Sequence, residues 1–252
     1  MPLSKAFLKK AATLDDAKGR RRAGLFVAEG TKCVCDLARR FAVRRLLALP
    51  EWLDGHGDLG ADETTPCTRE ELRSVTRLTA TPPVIAFFAL PDEEPAPAGT
   101  DGGCVLVLDR IQDPGNLGTI LRTCDWMGIR RVVASPDTAD CFNPKTVQAT
   151  MGALAQVAVS YTDLPQWLTF LDGSVPVYGT FLNAADAYAE PFAEECVIIM
   201  GNEGRGISPE VGRLVNRPVT IPAAQGACAE SLNVATAAAI VLALRARCIS
   251  KI

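Results

Sequence analysis

The sequence predicts an α/β protein in two parts, with a parallel sheet in the larger, C-terminal part. Apolar strand-like runs alternate with helix-like segments along most of the 252-residue chain. After residue 103 these runs are apolar throughout rather than at every second position, which is typical of parallel strands covered on both faces. Between the two parts lies LPDEEPAPAGTDGG, residues 90–103, whose Pro, Gly and acidic residues are typical of a linker.

Residues 1–92 are predicted to form a small α/β domain, residues 93–103 a linker, and residues 104–252 a second domain. In the first domain the strand-like runs are LFVAE, VRRLLAL and VIAFFAL, and the helix-like stretches are TKCVCDLARRF and TREELRSV. In the second domain the strand-like runs are CVLVLD, RRVVAS, ALAQVAVS, VPVYGT, CVIIMG and RPVTIP, and the helix-like segments are GNLGTILRTCDWMG, NPKTVQATMG, LPQWLTFL and SPEVGRLV. Ligands of parallel sheets bind beyond the carboxyl ends of the strands, so a site is expected in the loops after these runs.

The composition is that of an ordinary soluble globular protein, with 48% hydrophobic and 22% charged residues. The apolar run at residues 234–244 is too short to span a bilayer, and the first residues lack the apolar core of a secretory signal. We therefore predict no membrane segment and a cytoplasmic location.

The nine cysteines include no Cys-x-x-Cys pair, and several lie inside apolar runs, so most are predicted to be reduced and buried. Cys33 and Cys35 could contact a metal, but the only histidine is His56 and no second cysteine pair accompanies them. We predict no metal site.

The formal net charge of −3 hides an uneven distribution. Residues 1–50 hold twelve Lys and Arg against four Asp and Glu, whereas residues 51–100 hold ten acids against three arginines. A dense basic patch is either a solvated surface or the electrostatic footprint of a partner with a phosphate backbone. In the second case, Arg20, Arg21 and Arg22 are expected to contribute to the affinity.

The first loop with candidate site residues lies within residues 108–129, where a strand leads through a turn into a helix. Asn116 and Arg122 are expected to point from the first helical turns toward the loop. A Gly-containing turn, an Asn cap and a solvated arginine would equally explain this stretch.

The second loop lies within residues 197–210, where three glycines surround Glu203 and follow a fully apolar strand. It has neither the dinucleotide pattern nor a Walker loop, and its glycines let a flat ligand approach the main chain closely. Arginine is the expected partner of Glu203, because its planar fork can engage a carboxylate bidentately. Ser208 and Pro209 are expected to start a helix.

The third loop leads from a strand that ends at Ile221 into the apolar run AESLNVATAAAIVLAL. Ser231 is expected to be the N-cap of this helix unless it has a role in a site. Asn233 follows two residues later beside apolar neighbours, and a buried amide there would need hydrogen-bond partners.

These three stretches resemble motifs one, two and three of the SpoU, or TrmH-like, class of SPOUT RNA methyltransferases. NLGTILR resembles motif one, GNEGRGIS motif two, and IP followed by SLNVATAAAI motif three. FNPKTVQATMGAL resembles the stretch between the first two motifs, and GLFVAEGTKCVCDLA resembles the small substrate-binding domain often joined to this class. The loop at residues 222–230 is longer than the usual link before Ser-Leu-Asn.

The resemblance implies methyl transfer from S-adenosyl-L-methionine to a ribose 2′-hydroxyl of structured RNA, with ribosomal RNA expected before transfer RNA. It also implies a deep trefoil knot, a homodimer with sites at the subunit interface, and no requirement for metal. The catalytic residues implied are Asn116, Arg122, Glu203, Ser231 and Asn233. The cofactor-binding loops implied lie at Thr180, Gly201, Ile221 and Leu232.

Arginine is a poor base because its pKa exceeds about 12. We therefore expect Arg122 to hold the 2′-oxygen or a phosphate electrostatically, with Glu203 and Asn116 fixing its direction. Two other classes of protein share part of this pattern. A non-catalytic RNA-binding module is disfavoured by the complete set of five polar residues, and a nicotinamide-dependent oxidoreductase by the missing dinucleotide pattern.

Overall fold

The computed structural model describes residues 3–249, which form two compact units. One unit runs to Asp92 and includes Asp140–Ala155, and the other comprises Glu93–Ala139 and the chain from Gln156 onward. In chain order the helices and strands are α1 (Lys5–Ala12), α2 (Ala17–Ala23), β1 (Leu25–Glu29), α3 (Thr31–Leu37), β2 (Val43–Ala48), α4 (Pro50–His56), β3 (Thr64–Pro66), α5 (Arg69–Arg73), β4 (Val84–Ala89), β5 (Cys104–Asp109), α6 (Pro114–Trp126), β6 (Arg131–Ala134), α7 (Pro144–Thr150), β7 (Ala158–Tyr161), α8 (Leu164–Thr169), β8 (Val177–Asp186), β9 (Cys196–Gly201), α9 (Pro209–Gly212), β10 (Arg217–Thr220) and α10 (Val234–Ile249).

The N-terminal unit is built on a four-stranded sheet in the order β1-β4-β2-β3. Strand β4 pairs antiparallel with β1 and β2, and β3 joins β2 in parallel. The three predicted strands and both predicted helices of this part form. The pattern missed α1, α2, α4 and β3, because these elements are short and β3 carries two threonines and a proline instead of an apolar run.

Residues 140–155 fold with the N-terminal unit although they follow β6 in the chain. The ring of Phe142 lies 4.8 Å from that of Phe26 and 5.9 Å from that of Phe41. The sequence-based ranges place this segment in the second domain, since its helix-like pattern shows an apolar face but not which surface will cover it.

Arg20 is a buried structural residue, and its expected contribution to a phosphate-binding surface is wrong. Its side chain is 2% exposed. Its Nε donates to Asp140 Oδ2 at 3.1 Å and its Nη1 to the Leu14 carbonyl at 2.7 Å. Arg21 and Arg22 of the same helix are exposed. A run of three arginines on a helix necessarily points in different directions, so one of them turned inward.

The C-terminal unit is built on a six-stranded sheet in the order β10-β8-β9-β5-β6-β7. Every neighbouring pair is parallel, which confirms the predicted fold class and all six predicted strands. Residues on both faces of β5 are fully buried: Val105 and Val107 pack in a cluster with residues of α8 and α9, and Leu106 and Leu108 are 0% exposed on the other face. Helices α6 and α10 pack against each other, and α10 also contacts β9.

Strand β8 extends past Thr180, where the predicted strand ended. Its ladder with β9 nevertheless stops at Gly179. The register with β10 jumps from Gly179 to Ala185, so residues 180–184 leave the ladder and form a bulge. The expected loop after Thr180 is therefore a bulge within one long strand.

All nine cysteines are free thiols, five of them buried, in agreement with the predicted reduced state. Burial raises the pKa of Cys33 to about 12, so this thiol stays protonated and unreactive at neutral pH. Within residues 3–249 no three His, Cys, Asp or Glu side chains cluster as metal ligands would. No helix in the described part of the chain is long and apolar enough to cross a membrane.

Candidate active site

The candidate site lies where β5 and β9 end side by side at the carboxyl edge of the parallel sheet. Asp109, the last residue of β5, is the register partner of Gly201, the last residue of β9. The chain leaves β5 toward Asn116 and leaves β9 toward Glu203. Strands β6 and β7 lie on one side of this pair and β8 and β10 on the other, so this is the switch point where α/β sheets bind ligands.

Three of the five predicted catalytic residues form one hydrogen-bonded row. Asn233 Nδ2 donates to Asn116 Oδ1 at 2.9 Å, and Asn116 Nδ2 donates to Glu203 Oε1 at 3.0 Å. The main-chain amides of Gln112 and Asp113 approach the Glu203 carboxylate at 3.5 Å. The row joins one residue from each of the three motif-like stretches.

The two helices that carry the row are held by caps. Oδ1 of Asp113 accepts a hydrogen bond from the main-chain amide of Asn116 at 2.9 Å, and Pro114 follows Asp113 at the first position of α6. Asn233 Oδ1 accepts from the Ala235 amide at 2.9 Å, and so caps α10. A single side chain thus caps a helix with its oxygen and extends the row with its nitrogen.

This arrangement corrects three expectations. The partner of Glu203 is Asn116 and not an arginine, because Asn116, in the first turn of the helix that follows the neighbouring strand β5, lies within hydrogen-bond distance of it. Asn233 is exposed and is itself the cap, whereas Ser231 lies before the helix, is exposed, and makes no hydrogen bond within residues 3–249. The expected cap was placed too early because α10 begins at Val234.

Arg122 does not join the row in this chain. It lies six residues beyond Asn116 on α6, which is about 9 Å along the helix axis and about 120° around it. The expectation that both side chains point from the first turns toward the loop is therefore wrong. Arg122 is exposed, and its guanidinium makes no hydrogen bond or ion pair within the described residues, so it is accessible to a substrate.

A tight turn between β9 and α9 presents Glu203. A Cβ at Gly201 would lie 2.2 Å from the Ile207 amide nitrogen, so this glycine is required by the returning chain itself. Gly206 has a positive φ of 66° and exchanges main-chain hydrogen bonds with Asn202. Ser208 and Pro209 start α9 as expected, although the Ser208 side chain does not cap it.

Two residues that the sequence pattern did not single out hold this turn against β5. Asn202 Nδ2 donates to the Arg110 carbonyl at 2.7 Å. Asp109, 2% exposed, accepts from the Ser208 amide through Oδ2 at 2.6 Å. An acid at the end of an otherwise apolar buried strand was the available signal, since a buried carboxylate needs specific partners.

The four residues expected at cofactor-binding loops lie at the β8 bulge, at the ends of β9 and β10, and before α10. Thr180 opens the β8 bulge and donates to the Ile199 carbonyl at 3.3 Å. Gly201 ends β9, Ile221 directly follows β10, and Leu232 precedes α10. Two large apolar side chains are exposed in this region, with Leu182 of the bulge 73% and Leu232 47% accessible.

The parallel sheet with a polar row at its switch point defines an α/β ligand-binding or catalytic protein. A comparison with protein families then identifies the chain more closely. Residues 103–243 match the SpoU rRNA Methylase family. The chain belongs to this family, as its three motifs predicted.

Known proteins resemble the chain over nearly its whole length. The 23S rRNA (guanosine(2553)-2′-O)-methyltransferase RlmP of Bacillus subtilis is 33% identical, with 91% of each chain covered. A solved structure of a TrmH-family protein from Porphyromonas gingivalis is 36% identical with a TM-score of 0.87, covering 98% of this chain and 99% of that one. An AdoMet-bound rRNA methyltransferase from Sinorhizobium meliloti is 27% identical with a TM-score of 0.82, covering 99% and 97%.

Proposed function

We propose that this protein transfers a methyl group from S-adenosyl-L-methionine to a ribose 2′-hydroxyl of ribosomal RNA. The observation that carries the proposal is the row Asn233–Asn116–Glu203, which brings the three motifs of the matched family together at one sheet edge. The named relatives that act on 23S rRNA ribose support the choice of substrate.

The loops around the sheet edge fit this cofactor. The β8 bulge and residues 222–230 leave main-chain groups outside regular structure, and Leu182 and Leu232 expose apolar surface beside them. Main-chain donors and acceptors with apolar side chains suit an adenosine group. We assign Thr180, Gly201, Ile221 and Leu232 to these loops. When bound, the cofactor supplies a methyl group that its sulfonium has already activated.

The protein's own task is then to align and activate the hydroxyl. The row fixes the orientation of the Asn116 amide and the Glu203 carboxylate, so neither group must reorganise during the reaction. Glu203 offers a carboxylate oxygen that can accept the hydroxyl proton, which the guanidinium of Arg122 cannot. Arg122 instead stabilises negative charge on the 2′-oxygen or the adjacent phosphate, and Ser231 adds a hydroxyl at the start of the third motif.

The surroundings of the site support two further assignments. The N-terminal unit would contact RNA through exposed basic residues, among them Arg21 and Arg22. A homodimer would cover Trp126, which is 86% exposed on the helix that packs against α10, and could bring Arg122 of one copy to the row of the other. Light scattering of the purified protein tests the dimer. A cytoplasmic location follows from the substrate, and fractionation tests it.

The decisive test is incubation of the purified protein with methyl-labelled S-adenosyl-L-methionine and unmodified ribosomal RNA. We expect label in ribosomal RNA and in alkali-resistant dinucleotides, because a 2′-O-methyl group blocks alkaline cleavage. Label only in transfer RNA would show that transfer RNA, and not ribosomal RNA, is the substrate. Cofactor binding without methyl transfer to any RNA would favour a non-catalytic binding protein. Parallel titrations with S-adenosylmethionine and NADH test the cofactor, and binding of NADH alone would refute the proposal.

A further inference from the structure

Two arginines beside the row, Arg110 and Arg205, have no part in the chemistry described above. Arg110 follows β5 directly and Arg205 lies in the turn after β9. One side-chain amide holds both main chains: Asn202 Nδ2 donates to the Arg110 carbonyl at 2.7 Å, and Asn202 Oδ1 accepts from the Arg205 amide at 3.1 Å. The main chains of two arginines from different loops are therefore held close together at the sheet edge.

The backbone of Arg110 is held in a conformation that costs energy. Its φ is 61°, in the left-handed region that a residue with a side chain adopts rarely. The Ser135 hydroxyl accepts from its amide at 2.9 Å, while Asn202 holds its carbonyl. Such strain persists only where the surroundings fix it, and it clusters at functional sites.

The guanidinium of Arg110 is oriented by a contact with the protein, made by its Nε. Its buried Nε forms an ion pair with Oδ1 of the buried Asp109 at 3.2 Å, without the geometry of a hydrogen bond, and its side chain is 27% exposed. The second oxygen of Asp109 is engaged by the Ser208 amide. Arg205 is exposed, and within residues 3–249 its side chain has no hydrogen bond or ion pair. Arg205 thus exposes its guanidinium to solvent, and Arg110 exposes part of a side chain whose Nε is buried.

We propose that Arg110 and Arg205 form a phosphate-binding site for the RNA backbone next to the acceptor ribose; this inference rests on the proposed function. Planar guanidinium groups match phosphate oxygens bidentately. Sheet order favours RNA over the cofactor carboxylate as the anion. Arg110 follows β5, one to three strand spacings of about 4.8 Å from β9, β8 and β10, which carry the residues assigned to the cofactor. Arg205 lies in the turn after β9, but Asn202 holds its main chain together with that of Arg110.

The test compares Arg110→Gln, Arg205→Gln and the double variant with Arg213→Gln, a control that removes an exposed arginine of α9's C-terminal end. We expect each single variant to raise the KM for ribosomal RNA about tenfold, with kcat within about twofold. The affinity for S-adenosylmethionine should not change in any variant. The unfolding midpoint should not change in Arg205→Gln, whereas Arg110→Gln removes the cation beside the buried Asp109 and should lower the midpoint. The control should match the wild type.

Direct binding separates this inference from the proposed function. The probes are a short synthetic RNA and its methylphosphonate analogue, whose backbone is uncharged. The double variant should bind the RNA more weakly, with a salt slope lower by about 0.7 for each phosphate that it no longer neutralises, and the analogue should not distinguish it from the wild type. If the wild type transfers no methyl group, the proposed function fails, and these binding data still decide the site. Unchanged RNA binding by the double variant, or weaker binding of S-adenosylmethionine alone, would overturn it.

Discussion

At Asn116 one side-chain amide makes two directional contacts, accepting from Asn233 and donating to Glu203. Each contact fixes the other, because the oxygen and nitrogen of an amide cannot exchange roles when both are engaged. The carboxylate of Glu203 is thereby held in place by uncharged neighbours. The carboxylate is thus preorganised, and the cation that complements it must come from outside the row.

Arg122 is that cation in our account, and its replacement should separate chemistry from binding. We expect Arg122→Ala to lower kcat at least 100-fold, the size of effect seen when one transition-state donor is removed. Binding of S-adenosylmethionine, measured by calorimetry, should stay within about twofold of the wild type, a difference of less than about 0.5 kcal/mol. Arg122→Lys keeps the charge but not the planar fork and should recover only part of the rate. An active Arg122→Ala enzyme would refute the assigned role.

The three residues of the row were predictable from the family motifs, but their partners were not, and the roles of Arg122 and Ser231 stay predictions. Glu203 was expected to meet an arginine, and Arg20 was expected at the surface. Both errors have one cause: which side chains share a sheet edge or a helix face toward the core depends on strand order and packing that a linear pattern does not contain. Asp109 and Asn202 act through main-chain groups, so no complementary side chain marks them in the sequence.

At the scale of elements, Asn233 both caps α10 and completes the row. Asn233→Ala removes both the cap and the bond to Asn116, whereas Asn233→Asp keeps the cap acceptor and removes only the donated hydrogen bond. We expect Asn233→Ala to lower the free energy of unfolding by about 1 kcal/mol and Asn233→Asp to leave it nearly unchanged. Urea unfolding measures this difference.

Both Asn233 variants should lose methyl transfer to a similar extent, because both break the row. Equal stability of the two variants would show that the cap contributes nothing. Full activity of Asn233→Asp would show that the row is not required.

In helix α2, substitutions should separate an effect on stability, expected for the buried Arg20, from an effect on RNA binding, expected for its exposed neighbours Arg21 and Arg22. Arg20→Ala removes the donor to Asp140 Oδ2 and to the Leu14 carbonyl, and we expect a loss of about 3 kcal/mol of unfolding free energy. Arg21→Ala and Arg22→Ala should change stability by no more than about 0.5 kcal/mol. They should instead weaken RNA binding and lower its salt dependence. An unchanged salt slope would show that these side chains are only solvated.

At the scale of the whole molecule, the class of the C-terminal fold was predictable because buried parallel strands are apolar on both faces, and all six runs formed strands. The assignment of residues 140–155 to the N-terminal unit was not, since the ring contacts of Phe142 with Phe26 and Phe41 join residues far apart in the chain. The trefoil knot and the homodimer stay predictions. The knot depends on how the chain threads and the dimer on which surfaces associate, and a periodic hydrophobic pattern contains neither kind of information.

The central claim is that this chain methylates a ribose of ribosomal RNA, and mapping 2′-O-methyl groups in total RNA tests it most directly. RNA from cells with and without the chain should differ at a 2′-O-methylated nucleotide of ribosomal RNA. Expression of the wild type should restore that methyl group, and expression of the Arg122→Ala variant should not. Identical maps, or a difference confined to transfer RNA or to a base methyl group, would contradict the account.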